Sequence, residues 1–297
     1  MELATGDEIE KIGLRATREG KKLVFTAHDL VPNIETDRAV FDHKTMLAER
    51  HAAAVITLTG MAAQHLASRV GRDASPVRVV SHGAALPLPF VGGGSKGEGV
   101  AVFGALRPNR DLMGLVRAWR ILPQTRPALR MLVRSVTKAE RQRYAAVLAD
   151  LDEVRNTEPG FTITTTTEMV APGELASWCQ QSAVLALPYR WVTHSGQLEL
   201  ARDLGLRALA PDVPTLRAQI ADVPRCEAVW FPPQTLDEPQ RLAGYLRHAL
   251  SLPPPTADNQ TLRTCRAAEH LRFLDAHREL YFGSLQRRCE VDVRAPR

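Results

Sequence analysis

The chain has 297 residues, 44% of them apolar and 24% charged, which is ordinary for a globular protein and enough for about two domains. Its formal net charge of +5 suits a protein that handles anions, but the excess is spread out and no basic run of nucleic-acid-arm length occurs. There is no apolar leader, no stretch of membrane-spanning length and no C-x-x-C pair among the four cysteines, so a secretory signal, a transmembrane helix, a zinc site and a thiol redox motif are not expected.

A reduced, cytoplasmic setting fits the cysteine usage, with peripheral contact at the inner face of a membrane left open. In chain order, residues 6–18 are predicted helical, with Asp7 near the start and Gly20 past the end. A short buried strand over 23–27 leads to His28-Asp29. A helix over 38–52, a strand over 52–59, a helix over 60–69 and a strand over 77–83 follow. This alternation implies a parallel sheet flanked by helices. Residues 86–99, LPLPFVGGGSKGEG, interrupt it and read as a linker or loop. A Walker phosphate loop does not fit, because Lys96 is not followed by Ser or Thr at a helix mouth.

A second series begins with a strand over 99–106, a helix over 111–122 and a strand over 128–135. It continues with a helix over 138–151, a strand over 161–166 and a short helix over 174–181. A strand over 183–187 then enters Pro-Tyr-Arg, Ser195-Gly196 opens a helix that ends at a glycine, and an apolar strand over 208–210 stops at Pro211-Asp212. After the LPPP break, two helices are expected at about 257–270 and 270–286. The fold class is α/β, with two Rossmann-like parallel-sheet domains. The expected divisions are an N-terminal domain over 1–88, a linker over 89–99, a nucleotide-sugar domain over 100–252 and closing helices over 253–297.

In such sheets ligands bind outside the C-terminal ends of the strands, where helix N-termini offer free N–H groups to anions. Ser195 is a favoured N-cap, and Gly196 lets a phosphate approach the backbone. Arg190 sits at the same strand end. A second corner, FGALRPNRDLMG, places Gly104 at a strand end and Arg107 and Arg110 in the turn that follows. Two guanidiniums at such a corner suit a diphosphate.

Five stretches then carry a family resemblance: KKLVFTAHDLVPN, VRVVSHGA, VAVFGALRPNRDLMGLVRAW, LPYRWVTHSGQLELARDLGLRALAPD and FLDAHRELYFGSL. In this order they resemble retaining glycosyltransferases of the GT-B fold and family 4 type, most of all bacterial enzymes of exopolysaccharide and related glycan synthesis. The likeness covers nearly the whole chain. It implies transfer of a hexosyl group from a nucleoside diphosphate sugar to an acceptor hydroxyl on a glycan, a lipid-linked sugar or a small molecule. It implies no bound metal, because cations and helix dipoles neutralise the leaving diphosphate.

By this resemblance Arg110 stands where the family has a phosphate-binding lysine. Ala105 replaces an arginine there, leaving Arg107 to substitute. His28 matches a histidine near the transferred sugar. The family's paired glutamates fall on Val192 and Leu200, with Glu199 one position from the second and assigned to the donor ribose or sugar. The catalytic candidates are thus His28 and Arg110, and the diphosphate candidates Gly104, Arg107, Arg110, Arg190, Ser195 and Gly196. The family's first strand and glycine loop have no counterpart before residue 22, so the N-terminal domain is expected to be incomplete, with room for a protein partner over its sheet. Two other readings stay open: a non-catalytic relative acting as a partner subunit, and a nucleotide-sugar epimerase. Base, sugar and acceptor are not legible in the sequence.

Overall fold

The computed structural model describes residues 4–292 except 34–36, 70–76, 96, 135–136, 222–226 and 256–257. Lys96 and Cys226, which entered the readings above, lie outside the described residues. The chain divides into two compact units, residues 1–83 with 267–297, and residues 84–266.

The first unit holds α1 (Gly6–Arg18), β1 (Leu23–Thr26), α2 (Arg38–His51), β2 (Ala52–Thr57), α3 (Gly60–Arg69) and β3 (Val77–Val79). Helix α1 starts at a capping box in which Thr5 and Glu8 satisfy each other's backbone N–H. The three strands pair in parallel in the order β1-β2-β3. Ala27, Leu30, Val55, Ala62 and Leu66 make their core.

The second unit is a six-stranded parallel sheet of order β6-β5-β4-β7-β8-β9. Its strands are β4 (Gly99–Ala105), β5 (Leu129–Arg134), β6 (Phe161–Thr166), β7 (Ser182–Ala186), β8 (Arg207–Pro211) and β9 (Ala228–Phe231). Its helices are α4 (Leu112–Ile121), α5 (Lys138–Arg143), α6 (Ala145–Thr157), α7 (Pro172–Gln180), α8 (Gly196–Leu204), α9 (Pro214–Ile220) and α10 (Pro239–Ser251). Alternate side chains of each strand feed two cores, as the two-residue strand period requires. Val100, Val102, Met131, Val133 and Val184 join α4, α6 and α10 on one face. Ala101, Leu185, Leu187, Ala208 and Ala210 join α7 and α8 on the other. The sheet is therefore wound on both sides, and its order reverses between β4 and β7.

Two expectations need correction, and two elements are new. The helix read over 138–151 is two helices, α5 and α6, meeting at Tyr144. The closing pair is one helix, α11 (Asn259–Asp292), because no glycine or proline interrupts it before residue 283. Helix α9 and strand β9 were not foreseen.

The glycine stretch is not a loose linker. Gly92 N donates to Asp203 O at 2.6 Å, Gly94 N to Leu204 O at 3.0 Å and Gly93 N to Asn259 Oδ1 at 2.7 Å, and Val91 is fully buried. Gly92, Gly93 and Gly94 all have positive φ (91°, 99° and 61°), which is why three glycines stand there.

Under the sheet, burial pushes the Cys179 thiol on α7 up to about 12. The thiolate is the nucleophile, so iodoacetamide at about pH 8 should leave Cys179 unmodified in the folded chain and label it after denaturation. Peptide mass spectrometry reads this directly, and native labelling of Cys179 would mean that α7 is not packed as described.

Candidate functional site: an anion cradle at the strand-order reversal

The crevice at a strand-order reversal, outside the C-terminal strand ends, is where a wound sheet binds ligands. Here it lies between the turn after β4 and the turn after β7, and the two turns are tied to each other. Arg110 and Tyr189 form an antiparallel bridge, Asp111 N donates to Pro188 O and Arg190 N to Asn109 O, both at 2.8 Å. The Asn109 side chain, 2% exposed, donates to Trp191 O.

Gly104, Arg110, Ser195 and Gly196 come together at this corner. The Arg110 guanidinium lies against the end of β4. Nη1 donates to the Phe103 and Ala105 carbonyls at 3.2 and 3.1 Å, and Nη2 to the Tyr189 hydroxyl at 3.0 Å. Nε is buried without a partner, and one Nη2 hydrogen remains for a ligand oxygen. Gly104 has φ +130°, and a Cβ there would collide with the Arg110 guanidinium and the Gln197 amide. Glycine is required both by the backbone and by what lies over it.

Ser195 caps α8, its Oγ accepting from Leu198 N at 3.2 Å. The Gly196 and Gln197 amide N–H groups at the start of α8 have no partner among the described residues. A Cβ built on Gly196 meets nothing within 4 Å, so the helix N-terminus opens onto free space. The Arg107 side chain likewise makes no hydrogen bond or ion pair among the described residues. Arg110, a cation without a carboxylate, therefore lies beside two unengaged amides and the positive end of a helix dipole, with Arg107 three residues earlier in the same turn.

Three residues missed in the sequence hold this arrangement. The Tyr189 hydroxyl joins Arg110 to Gln197 Oε1 at 2.7 Å and Ser195 Oγ at 3.2 Å. Gln197 in turn donates to Phe103 O. Gln219, on α9, accepts from Ser195 N at 3.1 Å and donates to Ser195 O at 2.9 Å, fixing the start of α8. The available hint was Tyr189 itself, placed between the strand-ending proline and Arg190.

Two expected residues are placed otherwise. Arg190 turns away from the cradle onto Asp237, at 2.7 and 2.9 Å, and Asp111, at 2.5 Å. The Asp237 hydrogen bonds, helped by Asp111, hold its guanidinium above the ordinary arginine range, so its charge is neutralised locally. Arg190→Ala should therefore leave nucleoside diphosphate affinity within about threefold, the small change expected when a half-exposed, internally paired charge is removed. Calorimetry would show this, and a loss matching that of an Arg110 variant would return Arg190 to the cradle.

Glu199 is 1% exposed and is not a ribose contact in this arrangement. Its oxygens accept from Gln219 at 2.8 Å, Arg202 at 2.7 Å and Arg266 at 2.9 Å. Arg266, fully buried, also reaches Asp203, whose carboxyl burial lifts above the usual range. His28 belongs to the first unit, just past β1, with Nδ1 3.3 Å from Asp29.

No family model matches the sequence, and no curated protein matches it. Solved structures do resemble the fold. HepE of Anabaena, in complex with UDP-glucose, aligns with a TM-score of 0.67 at 15% identity over 95% of this chain and 77% of that one. An α,α-trehalose 6-phosphate synthase from Burkholderia multivorans aligns at 0.60 and 15% identity over 94% and 69%. Sucrose-phosphate synthase from Thermosynechococcus elongatus aligns at 0.57 and 16% identity over 95% and 72%. At such identities the likeness concerns the fold, which is that of the two Rossmann-like domains of GT-B proteins.

Proposed function

We propose that this chain binds the diphosphate of a nucleoside diphosphate sugar in the cradle and transfers the glycosyl group to an acceptor hydroxyl, in glycan or glycoconjugate synthesis. The observation that carries the reading is the juxtaposition of the unengaged Gly196 and Gln197 amides with Arg110, a cation without a carboxylate partner, at the strand-order reversal. The fold neighbour HepE, crystallised with UDP-glucose, supports the ligand class.

In this reaction the bond from the anomeric carbon to the diphosphate oxygen breaks, and its electron pair stays on the diphosphate. The acceptor oxygen bonds to that carbon, and the hydroxyl proton passes to a phosphate oxygen of the leaving group. Negative charge grows on the diphosphate as the bond lengthens. Arg110 and the α8 amides border the site of that charge, and Arg107 in the turn after β4 is assigned to it as well, so they stabilise the transition state more than the bound donor.

A second reading has its own support. Val192 and Leu200, where the resemblance puts glutamates, are 8% and 3% exposed apolar residues, and Glu199 is held in the core. A chain without a donor-side carboxylate would bind nucleotide and not turn it over. Release of free nucleoside diphosphate from a panel of UDP-, GDP- and ADP-sugars, with and without simple sugar acceptors, separates the two. Acceptor-dependent release supports transfer, whereas binding with no release supports the non-catalytic reading.

A further inference from the structure

We propose that Arg134 extends the cradle into a third anion subsite, so that the ligand carries a negative group beyond its diphosphate. This rests on the cradle reading above. Arg134 is the last residue of β5, in register with Ala105 of β4 on one side and Thr166 of β6 on the other. Ala105 is the residue whose carbonyl holds Arg110. Strand neighbours lie about 4.8 Å apart, so the α8 N-terminus, Arg110 and Arg134 follow one another along the strand ends at roughly one strand spacing each.

The side chains also share a face. Arg130 lies over the Trp178 ring of α7 and donates to the Trp178 carbonyl, which puts it on the α7 and α8 side of the sheet. Arg134 is four residues on and, by the two-residue period, on that same side. The Phe103 side chain packs into the core on that side, and Ala105, two residues on, shares its face.

Arg134 has no carboxylate partner and no side-chain hydrogen bond among the described residues, and its Nε is buried and unsatisfied. A partly exposed guanidinium with no carboxylate partner keeps its charge for an incoming anion. Further back on that face, opposite Arg130 and Leu132, Thr162 and Thr164 of β6 leave an exposed polar edge. The amides of α8 with Arg110 already span a diphosphate. A cation one strand further matches one more anionic group, which is either another phosphate or a carboxylate on the transferred sugar.

The test needs no knowledge of the base. Inorganic pyrophosphate and inorganic tripolyphosphate are titrated into the full chain by calorimetry at one ionic strength of about 0.15 M, which equalises screening. Tripolyphosphate should bind about tenfold more tightly, one charge-assisted contact. Arg134→Gln should erase that gain and leave pyrophosphate within about threefold, whereas Arg110→Gln should weaken both. A parallel comparison of UDP-glucose with UDP-glucuronate identifies the source. A gain for glucuronate that is lost in Arg134→Gln assigns a sugar carboxylate. A gain for tripolyphosphate alone assigns a phosphate. No gain in either pair, or a gain that survives Arg134→Gln with an unchanged melting curve, overturns the subsite. Failure of pyrophosphate to bind at all overturns the cradle reading, and the subsite with it.

Discussion

Arg110→Gln should weaken nucleoside diphosphate binding on the order of 100-fold while the melting temperature moves little. The guanidinium is anchored on two carbonyls and the Tyr189 hydroxyl, and this leaves its charge and one Nη2 hydrogen for a ligand. A charge-assisted hydrogen bond to a phosphate, together with the cation behind it, is worth up to about 3 kcal/mol, which is the stated factor. Arg110→Lys keeps the charge and loses the planar fork, so it should fall between, at about tenfold. The carbonyls released by either change lie at the open end of β4, where water can reach them, so the fold should survive. Calorimetric affinities beside thermal melts decide this. A loss of affinity that tracks a loss of melting temperature would make Arg110 a structural residue only.

Glu199→Ala should instead act on the fold. Glu199, Arg202, Asp203 and Arg266 balance two negative charges against two positive ones, and all four are 5% exposed or less. Removing one partner leaves a buried guanidinium uncompensated, at a cost of about 3–5 kcal/mol. In a unit of this size that lowers the melting temperature on the order of 10 °C. The double variant Glu199→Leu with Arg266→Met should recover much of the loss, because it removes both charges and keeps the volume. A drop of only a degree or two in Glu199→Ala would mean that the cluster is solvated. The network also sits directly behind the cradle, since Gln219 bonds both Glu199 and the Ser195 backbone. The single variant should therefore blunt nucleotide binding through disorder at the start of α8.

The parts legible in the sequence were those set by local chemistry. The bounds of α1 and the corner formed by Gly104, Arg110, Ser195 and Gly196 follow from caps, glycines and strand–helix alternation within short windows. The parts that were not legible depend on distant partners. Arg190 looked available because its neutralising Asp237 is 47 residues away, and Glu199 looked like a ligand contact because Arg266 is 67 residues on. Gly92–Gly94 reads as a flexible loop until the carbonyls of Asp203 and Leu204 are seen beneath it. Helix α9 has seven residues, too few for a periodic pattern, yet its Gln219 orients the cap of the site helix.

The most direct measurement is calorimetric titration of the folded chain with UDP, GDP and ADP. The account predicts that at least one binds with one-to-one stoichiometry and that its affinity is lost in Arg110→Gln. A folded chain that binds none of the three, nor pyrophosphate, would contradict the claim that the corner of Arg107, Arg110 and the α8 N-terminus holds a diphosphate.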